Sequence, residues 1–246
     1  MTNQFLLINA NNTNTSFALA NEKRLTRVVK VPTAQIGKIP FAANRYHGVV
    51  LASVVPAATK KLVRLLPLRP LIVNAFIDLG IGVRYPRKKQ IGADRLANAV
   101  GVTRLYGAPA VVVDFGTALT FDIVDSRRQY VGGVIAPGLA AATDYLYQRT
   151  ALLPRIQIAE PRSVIGKSTV EAMRIGAVVG HRGLVREILR TLRRERGLQR
   201  AVIVATGGYG RLMAKGIPEI QYVNPMLTLE GLRFIYLRNR GSGVVE

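Results

Sequence analysis

The chain has 246 residues, enough for one compact domain or two closely packed lobes, and at 49% hydrophobic and 20% charged it can bury a real core. It contains no cysteine, which excludes a disulfide framework, thiolate metal sites and cysteine nucleophiles. Lys and Arg number 35 against 14 Asp and Glu, and the resulting charge of +21 favours anionic partners without choosing among nucleotides, nucleic acids and acidic surfaces. The first apolar run, Phe5 to Ile8, is short and has no basic segment before it, unlike a signal peptide. No apolar stretch approaches the roughly 20 residues that span a membrane, so a soluble, cytoplasmic protein is expected.

In chain order, Phe5 to Leu19 reads as a strand, a polar turn and a second strand, closed by another turn at Asn21 to Arg24. Gly48 to Val55 predicts a buried strand, Ala57 to Leu66 a helix, and Pro70 to Asn74 a further strand. Asp94 to Leu105 predicts a helix with Leu96, Ala97, Val100 and Leu105 on its apolar face. Ala110 to Val124 then repeats the opening pattern and closes on a turn at Asp125 to Gln129, roughly one hundred residues on, which signals a duplicated lobe and not a solenoid. Ser168 to Gly180 predicts a helix, followed by a basic helix over Arg182 to Arg200. In the latter, Leu184, Val185, Ile188, Leu189 and Leu192 form a stripe opposite Arg186, Arg190, Arg193, Arg194 and Arg196. No aromatic residues interleave there to stack bases, so a solvated face is preferred to a nucleic-acid footprint. Ala201 to Ala205 is a strand that stops at Gly207-Gly208, and Leu229 to Asn239 is a final helix. This alternation predicts an α/β protein of two lobes, 1–108 and 109–246, each with a mixed sheet.

Four constellations bear on chemistry. The turn Asn9 to Thr15 follows a buried strand and can wrap a phosphate with backbone N–H groups and the hydroxyls of Thr13 and Thr15; an ordinary Asn-rich hairpin is the alternative. The turn Asp114-Phe-Gly-Thr-Ala-Leu-Thr matches it in context. There Asp114 ends a strand, Gly116 permits close approach, and Thr117 and Thr120 supply hydroxyls. A carboxylate beside a phosphate is useful chiefly through a cation, Mg²⁺ or a monovalent ion. Val204-Ala-Thr-Gly-Gly-Tyr-Gly offers a wall without side chains, against which a flat nucleoside can lie. Gly92-Ala-Asp-Arg opens a helix, where Asp94 either caps the first turn or acts as a general base toward a hydroxyl, with Arg95 binding an anion beside it. His47 and His181 are far apart, lack metal-ligand spacing, and are expected to be structural or exposed.

Taken in order, Asn9-Ala-Asn-Asn-Thr-Asn-Thr, Gly92-Ala-Asp-Arg, Asp114-Phe-Gly-Thr-Ala-Leu-Thr, Gly132-Gly-Val-Ile-Ala-Pro-Gly, Ile165-Gly-Lys-Ser-Thr, Ala205-Thr-Gly-Gly and Leu227-Thr-Leu-Glu-Gly-Leu resemble the type III pantothenate kinases from end to end. The resemblance implies duplicated ribonuclease H-like lobes of the actin-like ATPase kind, with a cleft between them. It implies a transferase that phosphorylates pantothenate with ATP in coenzyme A biosynthesis, with Mg²⁺, a monovalent cation (K⁺ or NH₄⁺) and a homodimer whose active site is shared. Carried over, Asn9, Ala10, Asn11, Asn12, Thr13, Asn14, Thr15 and Ser16 match the ATP phosphate loop, Thr117 an ATP contact, and Gly207 and Gly208 the adenosine-side turn. Asp94 matches the proton acceptor. Tyr85, Gly92, Ala93 and Arg95 match the pantothenate pocket, with Arg95 and Tyr85 toward the carboxylate and amide end. Asp114 matches the potassium ligand, and Thr169 a residue reaching substrate from the partner subunit. Two positions depart from the family pattern. Asn9 stands where the family has Asp, and Asn11 where it has Gly. Asn11 tolerates a positive φ better than most residues, so the turn can survive, while the charge lost at Asn9 predicts weaker metal binding and slower transfer. The alternative is a weakly active or inactive homologue that acts as a regulatory or binding protein.

Overall fold

Residues 4–240 are described by the computed structural model. In chain order the elements are β1 (Phe5–Ala10), β2 (Asn14–Ala20), β3 (Leu25–Pro32), β4 (Val49–Ser53), α1 (Pro56–Leu65), β5 (Leu71–Ile72), β6 (Gly82–Val83) and α2 (Ala93–Leu105). They continue with β7 (Ala110–Phe115), β8 (Ala118–Val124), β9 (Gln129–Pro137), α3 (Leu139–Arg149), α4 (Thr169–Leu192), β10 (Val202–Thr206), α5 (Gly210–Ala214), β11 (Tyr222–Val223) and α6 (Leu227–Asn239). By packing, the described residues up to Gly107, with Arg127–Gly132 and those from Met226 onward, form one unit; Ala108–Ser126 and Gly133–Pro225 form the other.

The first unit is built on a sheet of order β3-β2-β1-β4-β5. β1 pairs antiparallel with β2 and parallel with β4, so the opening hairpin feeds a parallel sheet. β1 is apolar at almost every position because both of its faces are covered. Phe5 and Leu7 point into a core with Leu96 and Val100 of α2 and Leu232 and Ile235 of α6. Leu6 and Ile8 point the other way, onto Phe17, Leu51 and Leu62 of α1. Burying each such Leu or Ile contributes about 1.5–3 kcal/mol, so these two layers fix the register of β1 and the position of its C-terminal end. α2 and α6 approach backbone to backbone. A side chain at Gly231 would overlap the Ala97 carbonyl, and one at Gly101 would lie 2.7 Å from the Leu227 carbonyl oxygen.

The second unit's sheet runs β11-β10-β7-β8-β9, the same order and hairpin placement as β5-β4-β1-β2-β3. β7 pairs antiparallel with β8 and parallel with β10, as β1 does with β2 and β4. The predicted duplication is therefore a duplication of topology. β9 begins in the first unit, where Gln129 and Tyr130 pair with Gly82 and Val83 of β6.

The two helices predicted across Ser168–Gly180 and Arg182–Arg200 are one helix of 24 residues, and Arg193 to Arg200 fall outside it. Gly176, Gly180 and Gly183 do not break it: each faces open space, and buried Val178, Val185 and Leu189 hold the helix from the opposite side. Its N-terminus is capped by Ser168, whose side chain accepts the Glu171 N–H at 3.2 Å, while the Glu171 carboxylate accepts the Lys167 N–H at 2.9 Å. Arg186 pairs with Glu219 and Arg190 with Glu187, consistent with a solvated basic face. Arg182 grips Glu160 with both guanidinium arms and donates to the Leu212 carbonyl.

Candidate active site

At the C-terminal end of β1, Asn9 pairs with Ser16 and Ala10 with Thr15, so the turn spans Asn11 to Thr13 and is closed by Asn11 N–H donating to the Asn14 carbonyl at 3.1 Å. Asn12 and Thr13 are exposed there. Thr15 is not: it is fully buried, with its hydroxyl 3.0 Å from that of Thr33. Thr33 Oγ1 in turn donates to the Asn11 carbonyl at 2.6 Å, and the Thr33 N–H donates to the Thr13 carbonyl. Thr33 thus braces the turn from the end of β3, a role its sequence position does not advertise. The side-chain oxygens of Asn9 and Asn11 are both buried without a hydrogen-bond partner among the described residues. Two orphaned acceptors at a strand end suit a cation or its bound water, since leaving such a group unpaired costs about 1–3 kcal/mol.

Ala10 also accepts the Val54 N–H at 3.1 Å, which ties the turn to the end of β4. Beside it lies a cavity of about 390 Å³, lined in part by Ser53, Val54, Lys88, Lys89, Gly92 and Ala93. Gly92 caps α2, and Asp94 stands in its first turn. Asp94 Oδ1 accepts the Arg95 N–H at 2.8 Å, which satisfies one donor of the first turn. Burial nevertheless pushes the Asp94 carboxyl above the usual carboxylate range, against the lowering effect of that N–H and of the Arg95 charge. A carboxylate made more basic in this way is better matched to taking a proton.

Tyr85 and Arg95 meet on one residue distant from both in sequence, which the sequence reading missed. Tyr130 of β9 is 1% exposed; its ring centre lies 6.2 Å from that of Tyr85, and the Arg95 guanidinium sits 5.9 Å from it. The Tyr130 carbonyl accepts the Arg84 N–H at 2.9 Å, and Gly132 takes a φ of +135° beside the Tyr85 ring. The only sequence signal for this hub is an aromatic residue just ahead of the Gly132-Gly133 pair.

In the second unit, Asp114 lies next to the last residue of β7, opposite Thr206 of β10. The chain leaves β10 through Gly207 at φ +84°, and Tyr209 N–H returns to the Phe115 carbonyl at 3.2 Å. A side chain at Gly207 would collide with the Asp114 carboxylate and with the Phe115 backbone, so both conformation and space require glycine. Gly208 is exposed beside it. Thr117 is exposed in the β7–β8 turn, where its carbonyl packs against Gly138. Thr169 is exposed at the start of α4. His181 packs 6.5 Å from the Phe115 ring, with burial lowering its pKa, and His47 sits edge-on to Phe5 and Tyr236, so both histidines are structural.

The structure therefore gathers Asn9 to Ser16, Tyr85 and Gly92 to Arg95 in the first unit, and Asp114, Thr117, Thr169, Gly207 and Gly208 in the second. Residues 5–191 match the family model of the type III pantothenate kinases. A type III pantothenate kinase of Akkermansia muciniphila is 49% identical over 234 residues, covering 93% of this chain and 96% of that protein. One from Methylacidiphilum infernorum is 43% identical over 235 residues, covering 94% and 87%. The chain belongs to the type III pantothenate kinase family. The family match contains the first turn, the Gly92–Arg95 turn, Asp114 and Thr169, and stops short of Gly207.

Among solved structures, a Baf family transcriptional activator from Campylobacter jejuni superposes with a TM-score of 0.62 at 19% identity, covering 96% of this chain and 98% of that one. MreB 5 of Spiroplasma citri bound to AMPPNP gives 0.52 at 12% identity, covering 99% and 98%. This kinase family member thus shares its fold with both, in keeping with the α/β class expected. Among the described residues no group of three or more His, Cys, Asp or Glu could hold a metal ion. Any divalent cation here would depend on few protein ligands, as Mg²⁺ does when it is carried largely by substrate phosphates.

Proposed function

We propose that this chain transfers the γ-phosphoryl group of ATP to the terminal hydroxyl of pantothenate, giving 4′-phosphopantothenate, the first step of coenzyme A biosynthesis. The observation that carries this reading is Asp94: a carboxylate at a helix start, made more basic by burial, next to a cavity of about 390 Å³ that Gly92 and Ala93 line. Asp94 accepts the hydroxyl proton as the phosphoryl group arrives. The exposed backbone of the turn at Asn12 and Thr13 faces the phosphates, with Thr117 as a further nucleotide contact and Gly207 and Gly208 forming the adenosine side. Tyr85 and Arg95 orient the acceptor. Phosphoryl transfer asks chiefly for positioning and charge neutralisation, and these groups supply both.

Mg²⁺ and a monovalent cation, K⁺ or NH₄⁺, are part of this reading and would neutralise phosphate charge when bound. The orphaned Asn9 and Asn11 oxygens fit the former, and Asp114, flanked by the side-chain-free Gly116 and Gly207, fits the latter. A homodimer is supported by apolar residues that the second unit leaves exposed, among them Ile135, Tyr145, Leu152, Val164 and Ile165. Large exposed apolar groups of this kind mark contact surfaces. In such a dimer Thr169 reaches the partner's substrate. No helix among the described residues is long and apolar enough to cross a membrane, and a cytoplasmic location, where ATP and pantothenate meet, completes the reading.

Incubation with ATP and a panel of small hydroxy acids, followed by mass detection of phosphorylated products, tests the substrate. The reading predicts 4′-phosphopantothenate as the dominant product. Preferential phosphorylation of another hydroxy acid would overturn it.

A further inference from the structure

The turn at the end of β1 is shaped by a residue that lies outside it. The Ala10 carbonyl accepts the Val54 N–H, and the Asn14 carbonyl accepts the Asn11 N–H. The other two engaged carbonyls belong to Thr33: Thr13 accepts its N–H at 3.0 Å, and Asn11 accepts its hydroxyl at 2.6 Å. A hydroxyl has a single proton, and that of Thr33 goes to Asn11. In the 3.0 Å contact between the two hydroxyls, the fully buried Thr15 is therefore the donor. The relay from Thr15 through Thr33 to Asn11 has one direction, and each bond polarises the next. Thr33 is itself held. Pro32 sets the backbone ahead of it at φ −55°. Ile36, whose N–H donates to the Thr33 carbonyl, is 1% exposed in the core with Ile8 and Phe17.

The consequence lies on the far side of the turn. The Asn11–Asn12 peptide is trans, so the Asn12 N–H points opposite to the carbonyl that Thr33 grips. Asn12 is exposed, and its N–H is thereby aimed outward. We infer that Thr33 is a positioning residue for phosphoryl transfer: its hydroxyl locks this peptide with the N–H outward, as a donor to a phosphate oxygen of the nucleotide. Without that hydroxyl the peptide is free to turn over and present its oxygen, which repels an anion. A donor fixed before the ligand arrives costs no reorganisation when it binds. This rests on the reading of the turn as the phosphate site and deepens it.

Calorimetric titration of the full chain with MgATP, adenosine and pantothenate tests this, beside Thr33→Val, which keeps the shape and the N–H, and Thr33→Ser, which keeps the hydroxyl. In Thr33→Val the dissociation constant for MgATP is expected to rise about tenfold, the weight of one hydrogen bond at a positioned group. Adenosine and pantothenate stay within about twofold, and Thr33→Ser restores MgATP binding. Thr26→Val is the comparison for general loss of stability. Thr26 also donates its hydroxyl from β3 to a carbonyl, that of Leu19 at 3.0 Å, away from the turn, and its loss should leave all three ligands within about twofold. Unchanged MgATP affinity in Thr33→Val overturns the inference, as does equal weakening of all three ligands, failure of Ser to restore binding, or the same effect in Thr26→Val. The unaltered chain gives a second measurement that needs no variant. By NMR, the Asn12 amide should gain at least about tenfold protection from exchange with MgATP and none with adenosine, and an Asn12 amide that MgATP leaves unprotected overturns the inference. An unaltered chain that binds no MgATP overturns the nucleotide reading itself, and is told apart by that result.

Discussion

Asp94 does two things with one carboxylate. It steadies the first turn of α2 through the Arg95 N–H, and burial holds it more basic than an ordinary aspartate. Asp94→Asn keeps the shape and the capping and should lower kcat by about 10²–10⁴-fold, the usual worth of a positioned general base. The pH dependence has a definite sign. The folded state binds the Asp94 proton more tightly than the unfolded chain, whose carboxyl titrates near 3.9. This group's contribution to stability is therefore fully present below about pH 4 and lost as pH rises through the folded value. Asp94→Asn should accordingly melt higher than the unaltered chain at pH 8, with the difference gone near pH 4. At Asn9 the structure offers a buried oxygen without a partner among the described residues. Asn9→Asp puts a charge there, which costs stability without metal and favours the metal-bound state. The variant should melt lower alone, show a larger MgATP-induced rise in melting temperature, and release ADP about tenfold faster with pantothenate. No gain in either measure would contradict the assignment of this turn to MgATP.

At the scale of elements, glycine placement explains both what the sequence reveals and what it hides. The hairpins β1–β2 and β7–β8 are legible because apolar runs flank short polar turns. β9 and α3 are not, because Gly132-Gly133 reads as a break although the strand runs through it. The same local reading split α4 at Gly180, where tertiary packing on the opposite face outweighs a helix-propensity cost of about 1 kcal/mol. Gly231 shows the reverse case, a helix glycine that cannot be replaced. Gly231→Ala should destabilise the protein by about 1–3 kcal/mol, seen as a lower denaturant midpoint with unchanged slope, because its methyl would enter the Ala97 carbonyl. The Tyr130 hub was invisible for a related reason: aromatic contacts to Tyr85 and Arg95 need the β6–β9 pairing, which two-residue β6 does not announce. Tyr130→Leu should raise KM for pantothenate several-fold with little change in kcat, and Tyr130→Phe should restore it, as expected of a positioning residue. A matching loss in both KM and kcat, not rescued by Phe, would point to fold damage alone.

Across the whole molecule, the duplicated sheet order and the ordered motifs place the chain in its kinase family. The measurement that bears most directly on the central claim is ADP release by the unaltered chain, with and without pantothenate, set beside Asp94→Asn. The account predicts ADP release that depends on pantothenate and falls by about 10²–10⁴-fold in the variant. ADP release indifferent to pantothenate, or a variant as active as its parent, would contradict it.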